Sequence, residues 1–163
     1  MTVLLKWKRC GSHTLPVPTR ANVGDAGLDL PVVVDKDTEP VYGSFSRTLG
    51  EVPVLDVYNS SGLIVFRTGW AVEIPPGYYG QIVVRSSVGK AGWDIESSGV
   101  IDSSYRGEIK MPLIYRGEET VRVEHGRCLA QMLILPVPHI ECVEVDALSD
   151  TARGEGGFGS TGK

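Results

Sequence analysis

Apolar positions in this chain come in short runs rich in Val, Ile, Leu and Tyr, separated by Gly, Pro or charged turns. Such runs predict strands over residues 3–7, 62–66, 71–74, 81–85, 108–114, 120–123, 129–135 and 141–145. Several alternate apolar with polar, as in Glu108-Ile109-Lys110-Met111 and Thr120-Val121-Arg122-Val123. That period of two is the mark of a half-buried strand. Pro75-Pro76-Gly77 is a strong turn between two of the runs. No window of a dozen residues sustains a helical period, and the nearest candidate is a turn or two near residues 86–92. Many short strands with frequent turns predict an all-β fold, a sandwich, jelly roll or barrel.

Two segments depart from the pattern. Residues 35–60 are polar and turn-rich with little alternation, which predicts a long surface loop. Residues 153–163 hold five glycines and one aromatic, which predicts a mobile tail too poor in apolar surface to pack. The expected organisation is one β domain over residues 1–152 followed by that tail.

Composition narrows the function classes. The chain has 163 residues, 42% of them apolar, a normal size and content for one domain with a core. Its net charge of −4 argues against a general nucleic-acid binder, which would carry a basic surface. A polyanionic substrate would have to be held by a local cluster of Arg, Lys and metal. The odd cysteine count (Cys10, Cys128 and Cys142) predicts reduced thiols and a cytoplasmic or nuclear setting. The N-terminus lacks the pattern of a signal peptide, and no run approaches the ~18 apolar residues of a membrane span.

Three stretches have the residue types for chemistry. In Gly99-Val-Ile-Asp-Ser-Ser-Tyr-Arg-Gly-Glu108 an apolar strand turns at Asp102 and returns along residues 108–114, as a hairpin would. Asp102 either caps that turn or accepts a proton from a water held against an electrophile, with Tyr105 facing the same pocket. Arg85-Ser86-Ser87 ends another strand. An arginine fork, two hydroxyls and the following N–H groups suit phosphate oxygens, although a strand-terminal Arg also makes ordinary ion pairs. In the tail, Arg153 brings charge, the glycines let backbone N–H groups approach a phosphate chain, Ser160 and Thr161 bring hydroxyls, and Phe158 offers a face for a base. Residues 157–163 match the start of a P-loop but lack its Ser/Thr and its helix. The spacings His125-x-x-Cys128 and His139-x-x-Cys142 look like metal ligands, but the cysteines lie in or beside apolar runs and read as structural thiols.

Taken in chain order, these segments resemble the trimeric dUTPase family. Its five motifs are similar to Ala26-Gly27-Leu28-Asp29-Leu30, Arg85-Ser86-Ser87, Gly99-Val100-Ile101-Asp102 with Tyr105-Arg106-Gly107, Gly126-Arg127-Cys128-Leu129-Ala130-Gln131-Met132, and Arg153 through Gly162. The resemblance spans about residues 20–162. It implies a jelly-roll subunit, a homotrimer with active sites built from all three chains, and hydrolysis of dUTP to dUMP and pyrophosphate with Mg2+. That reaction would limit uracil in DNA and supply dUMP for dTMP synthesis. Asp102 would activate the attacking water. Tyr105 would pack under the deoxyribose, and the hairpin carrying Gly99, Val100, Ile101 and Lys110 would read uracil through its backbone. Arg85, Ser86, Ser87 and Gln131 would contact phosphates, while Asp29 and Gln131 would act near the metal through water. Arg153 would grip the terminal phosphate, and Phe158, Gly159 and Ser160 would close over the nucleotide.

The chain departs from the family at three places. Ser104 stands where an acidic residue is usual, Tyr115 where an asparagine is usual, and the stretch between Asp29 and Thr68 is longer by roughly a dozen residues, which suits a loop. dCTP deaminase shares the fold, but its general acid/base glutamate has no counterpart in Glu108-Ile-Lys-Met-Pro-Leu-Ile114. A nucleotide-switched binding protein is the alternative of a different class, with residues 35–60 as its partner surface.

Overall fold

The computed structural model describes residues 2–38, 40–42, 45–58 and 62–156. Its strands are β1 (Lys6–Arg9), β2 (Leu28–Pro31), β3 (Pro40–Tyr42), β4 (Phe45–Thr48), β5 (Val54–Val57), β6 (Gly62–Glu73), β7 (Tyr78–Val84), β8 (Trp93–Ile95), β9 (Val100–Ile101), β10 (Glu108–Tyr115), β11 (Val121–Glu124) and β12 (Cys128–Pro136), with one short helix, α1 (Ser86–Lys90). They form three antiparallel sheets: β1-β6-β10-β8 with β3 also on β6, β11-β5-β4, and β2-β12-β7-β9. The architecture is all-β and jelly-roll-like, and one apolar core joins the sheets. Leu30, Leu55, Phe66, Ile82, Met111 and Met132 are each fully enclosed. Trp93 sits edge-on to Phe66, with ring centroids 5.7 Å apart, and tilts against Tyr115 at 5.0 Å.

Several sequence expectations need correction. The runs at 62–66 and 71–74 belong to one strand, β6. The chain runs without a break through Thr68-Gly69, with Gly69 at φ 75°. The buried Thr68 hydroxyl donates to the Ile109 carbonyl (2.9 Å), and the Glu108 carboxylate accepts from the Gly69 N–H (2.8 Å) and from Arg67 Nε (3.1 Å). These bonds satisfy the backbone where the β6–β10 register slips between Glu108 and Lys110.

Residues 35–60 are not a bare loop, since they contain β3, β4 and β5. Leu55 and Val57 enter the core, and the short alternation Val54-Leu55-Asp56-Val57 is flanked by turn residues that obscure it. Residues 141–145 form no strand. Val143 and Val145 are exposed, because strand-forming side chains do not hold a strand without a paired neighbour. No helix among the described residues is long and apolar enough to cross a membrane.

Candidate active site

Two clusters of the expected residues occupy opposite ends of β7. At its C-terminal end the strand stops at Val84, and Arg85 turns the chain into α1 with extended dihedrals (φ −70°, ψ 146°). Ser86 and Ser87 open the helix. Both are exposed, and the first N–H groups of a helix have no partner within it. The first turn contains no acidic residue, so nothing there repels an anion. Buried Val88 anchors the turn to the core, and Gly92 ends it at φ 96°.

Asp29 and Gln131 face each other across the β2–β12 pair. Arg85 joins them: its Nε lies 3.3 Å from the Asp29 carboxylate and its Nη1 donates to the Cys128 carbonyl at 3.4 Å. The Gln131 side chain lies flat against buried Gly27, where a Cβ would overlap it. Cys128 completes the cluster. Burial, and then the Asp29 carboxylate, push its thiol up from the ordinary value, while the Arg85 charge opposes them. Asp29 and Cys128 line an open cleft of about 200 Å³.

At the other end, β9 pairs with β7 through Gly80↔Ile101 and Gln81↔Val100. The Ile82 N–H donates to the Gly99 carbonyl (2.8 Å), and Gly99 sits at φ 66°. A Cβ there would lie 2.6 Å from the Ile82 carbonyl, so this approach requires glycine. Among the described strands β9 pairs with β7 alone, which leaves its outer edge of N–H and C=O groups open to a ligand. Asp102 follows directly and lines an open cleft of about 430 Å³ with Tyr78, Tyr79, Ser103, Ser104 and His139. Its carboxylate has no hydrogen-bonding or ionic partner among the described residues. The Tyr105 N–H donates to the Asp102 carbonyl (3.0 Å), and the Tyr105 hydroxyl donates to the Glu108 carbonyl (3.1 Å). The Tyr105 ring folds over Gly107, where a side chain would overlap it.

The hairpin expected around Asp102 is instead a corner. β9 belongs to the sheet of β7, whereas β10 belongs to the sheet of β6, and residues 102–107 cross between them. Lys110 is exposed on β10, opposite Arg67. Asp102 and Arg85 are not brought together. Ile101 pairs with Gly80, and the five residue steps from Gly80 to Arg85 span roughly 17 Å of extended backbone.

Arg153 is exposed in a turn, its Nε donating to the Gly156 carbonyl at 2.8 Å. Phe158, Gly159 and Ser160 lie outside the described residues. Two contributors had no sequence signal of their own role. Gly27 supports Gln131 from just before β2, and Cys128 holds Arg85 through its carbonyl, which its side chain does not reveal.

A dUTPase family profile matches residues 55–162. A deoxyuridine 5'-triphosphate nucleotidohydrolase of Rhizobium etli (strain CIAT 652) is 41% identical over 150 residues, covering 91% of this chain and 86% of that one. Its counterpart in Anaplasma marginale (strain St. Maries) is 39% identical over 153 residues, covering 92% and 91%. Among solved structures, the Staphylococcus bacteriophage 80alpha dUTPase with dUPNHPP is similar at a TM-score of 0.74 and 25% identity, covering 98% of this chain and 99% of that one. Fold and comparisons together define a jelly-roll hydrolase of nucleotide metabolism. The chain belongs to the dUTPase family.

Proposed function

We propose that this enzyme hydrolyses dUTP to dUMP and pyrophosphate at sites completed by neighbouring copies in a homotrimer. Division of the motif residues between the two ends of β7 carries this reading. Asp102 and the Arg85 cluster are each open to solvent and too far apart to meet on one nucleotide's reacting phosphate. A second copy that presents its Arg85 cluster to this copy's Asp102 removes the difficulty. The segment at 137–148 supports assembly: Val137, Ile140, Val143, Val145 and Leu148 are exposed, apolar surface that another copy would cover.

In this reading the open edge of β9 at Gly99, Val100 and Ile101 reads the uracil edge through backbone donors and acceptors. Cytosine is rejected because it sets an amino group against another donor and leaves buried polar groups unpaired. Tyr105 packs under the deoxyribose. The Asp102 carboxylate, without a side-chain partner among the described residues, accepts a proton from the attacking water. Arg85, the Ser86 and Ser87 hydroxyls and N–H groups, and Gln131 hold phosphate oxygens. Arg153 neutralises the terminal phosphate, with Phe158, Gly159 and Ser160 of the tail over the nucleotide.

The donors fit a magnesium ion that arrives on the triphosphate. Magnesium takes few protein carboxylates and prefers phosphate oxygens and water. Asp29 and Gln131, one carboxylate and one amide facing each other across two strands, are such a sparse set. They would hold the ion through water, and it would neutralise charge as pyrophosphate leaves.

The test is pyrophosphate release from dUTP, set against UTP, dTTP and dCTP, with ammonia release from dCTP as the deaminase control. Asp102→Asn keeps the shape and removes the base, so kcat should fall by roughly 10²-fold or more to a small residual rate while dUTP binding persists. General-base catalysis is worth ~10²–10⁴-fold. A variant that kept more than about a tenth of the wild-type kcat would remove Asp102 from the role.

A further inference from the structure

We propose that Arg106 is a positioning residue that aims Asp102, by clamping the carbonyl groups of the corner in which the aspartate stands. The inference rests on the reading of Asp102 as the group that takes the proton from water.

The Asp102 carboxylate has no side-chain partner among the described residues, so only the backbone of the corner directs it. That backbone has little support of its own. β9 is two residues long, and residues 102–107 pass between two sheets without joining the ladder of either. One backbone bond closes the turn, from the Tyr105 N–H to the Asp102 carbonyl at 3.0 Å. The two residues between, Ser103 and Ser104, make no side-chain bond to the rest of the corner among the described residues.

Arg106 supplies the missing restraint. Its Nη1 donates to the Ser103 carbonyl at 2.6 Å and to the Tyr105 carbonyl at 2.9 Å. One guanidinium nitrogen thus ties the peptide after Ser103, one residue beyond Asp102, to the peptide after Tyr105. A planar guanidinium is pre-organised for such a fork and stays charged at every working pH. Hydrogen bonds from a charged donor are also stronger than neutral ones. The side chain lines the cleft formed with Lys6, Lys8 and Glu73 at the end of β6. The Glu73 carboxyl lies below its ordinary value, chiefly through its hydrogen bond from Lys6, then the Lys6 charge, with the Arg106 charge adding to these. That neighbouring carboxylate favours a cation at this place.

A carboxylate that must meet one water at one phosphorus tolerates little drift, and a displacement of ~1 Å can cost ~10²-fold in rate. Arg106→Ala should therefore lower kcat by about ten- to a hundredfold while KM for dUTP changes little, because the bonds lost act on the aim of Asp102. Arg106→Lys, which keeps a donor and a charge, should recover part of the loss. The decisive measurement is the cycle with Asp102→Asn. A residue that acts through Asp102 has nothing further to lose once the base is gone, so Arg106→Ala should leave the residual rate of Asp102→Asn unchanged. An additive loss, a rise in KM at constant kcat, or a fully active Arg106→Ala would each overturn the proposal. If Arg106→Ala fails to fold, as judged by circular dichroism, the same cycle run with Arg106→Lys decides. Failure of the wild type to release pyrophosphate from dUTP would instead strike the functional reading on which the proposal stands.

Discussion

Tyr115 is almost fully buried with its ring against Trp93, and its hydroxyl donates to the Glu119 carbonyl at 2.9 Å. Gly117 leaves room for the ring, since a Cβ there would overlap it, and a Cβ at Gly92 would press on the Gly117 backbone. The residue that stands in place of the family's usual asparagine is thus part of the core beneath α1 and β8. Tyr115→Phe, which removes only the hydroxyl bond, should lower stability by about 0.5–1.5 kcal/mol in chemical denaturation. Tyr115→Asn also opens a cavity, and a loss on the scale of about 3–5 kcal/mol is expected, as for other large aromatic truncations. Equal effects of the two changes would show that the ring contributes little. The identity of single residues was widely legible before any fold. Asp102, Arg85 and Gln131 stand out as acid, cation and amide in ordered motifs. Gly27 under Gln131 and the Cys128 carbonyl on Arg85 were not legible as supports, because each acts on a strand distant in sequence.

At the level of elements, β5 and β11 are joined by an ion pair across directly opposed residues. Arg122 Nε and Nη2 meet the two Asp56 carboxylate oxygens at 2.8 and 3.2 Å. The hydrogen bonds from Arg122 hold the Asp56 carboxyl below its ordinary value, with burial opposing and the Arg122 charge adding. A carboxyl lower in the folded than in the unfolded chain stabilises above its unfolded pKa, and that stabilisation is lost as pH falls through the folded value. Asp56→Asn should therefore lower the melting temperature slightly at pH 7, slightly because Arg122 is largely exposed. The gap from wild type should close as pH drops below about 4, the ordinary aspartate range. A gap that widened toward acid would contradict the assigned sign. The same three-stranded sheet marks a limit of pattern reading. Long runs such as 108–114 and 129–135 lie within β10 and β12, whereas β4 and β5 are four residues each and were hidden among Gly, Pro and Ser. The converse holds at 141–145, where the period of a strand is present and the partner is not. Pairing decides both cases, and so it does at the corner after Asp102, where sequence neighbours join different sheets.

For the molecule as a whole, the expectation is that activity requires assembly. Chains truncated before Arg153 should keep the melting temperature, since the removed residues are mostly glycine and polar by sequence, and should lose kcat/KM by several orders of magnitude. Mixing such chains with Asp102→Asn chains should restore some pyrophosphate release, because some mixed sites would receive an intact Asp102 and an intact tail. No recovery after exchange, or full activity of a monomer shown by light scattering, would refute shared sites. The roughly 17 Å between Gly80, the partner of Ile101, and Arg85 then has a consequence for inheritance. Where two versions of the chain are made together and assemble at random, a lesion in Asp102 alone removes only the sites that draw on that copy, about half when the versions are equal in amount. A version damaged at both Asp102 and the Arg85 cluster spoils sites through either contribution, and about three-quarters are lost. The length of one strand would thereby decide whether a damaged allele is merely silent or interferes with its healthy counterpart.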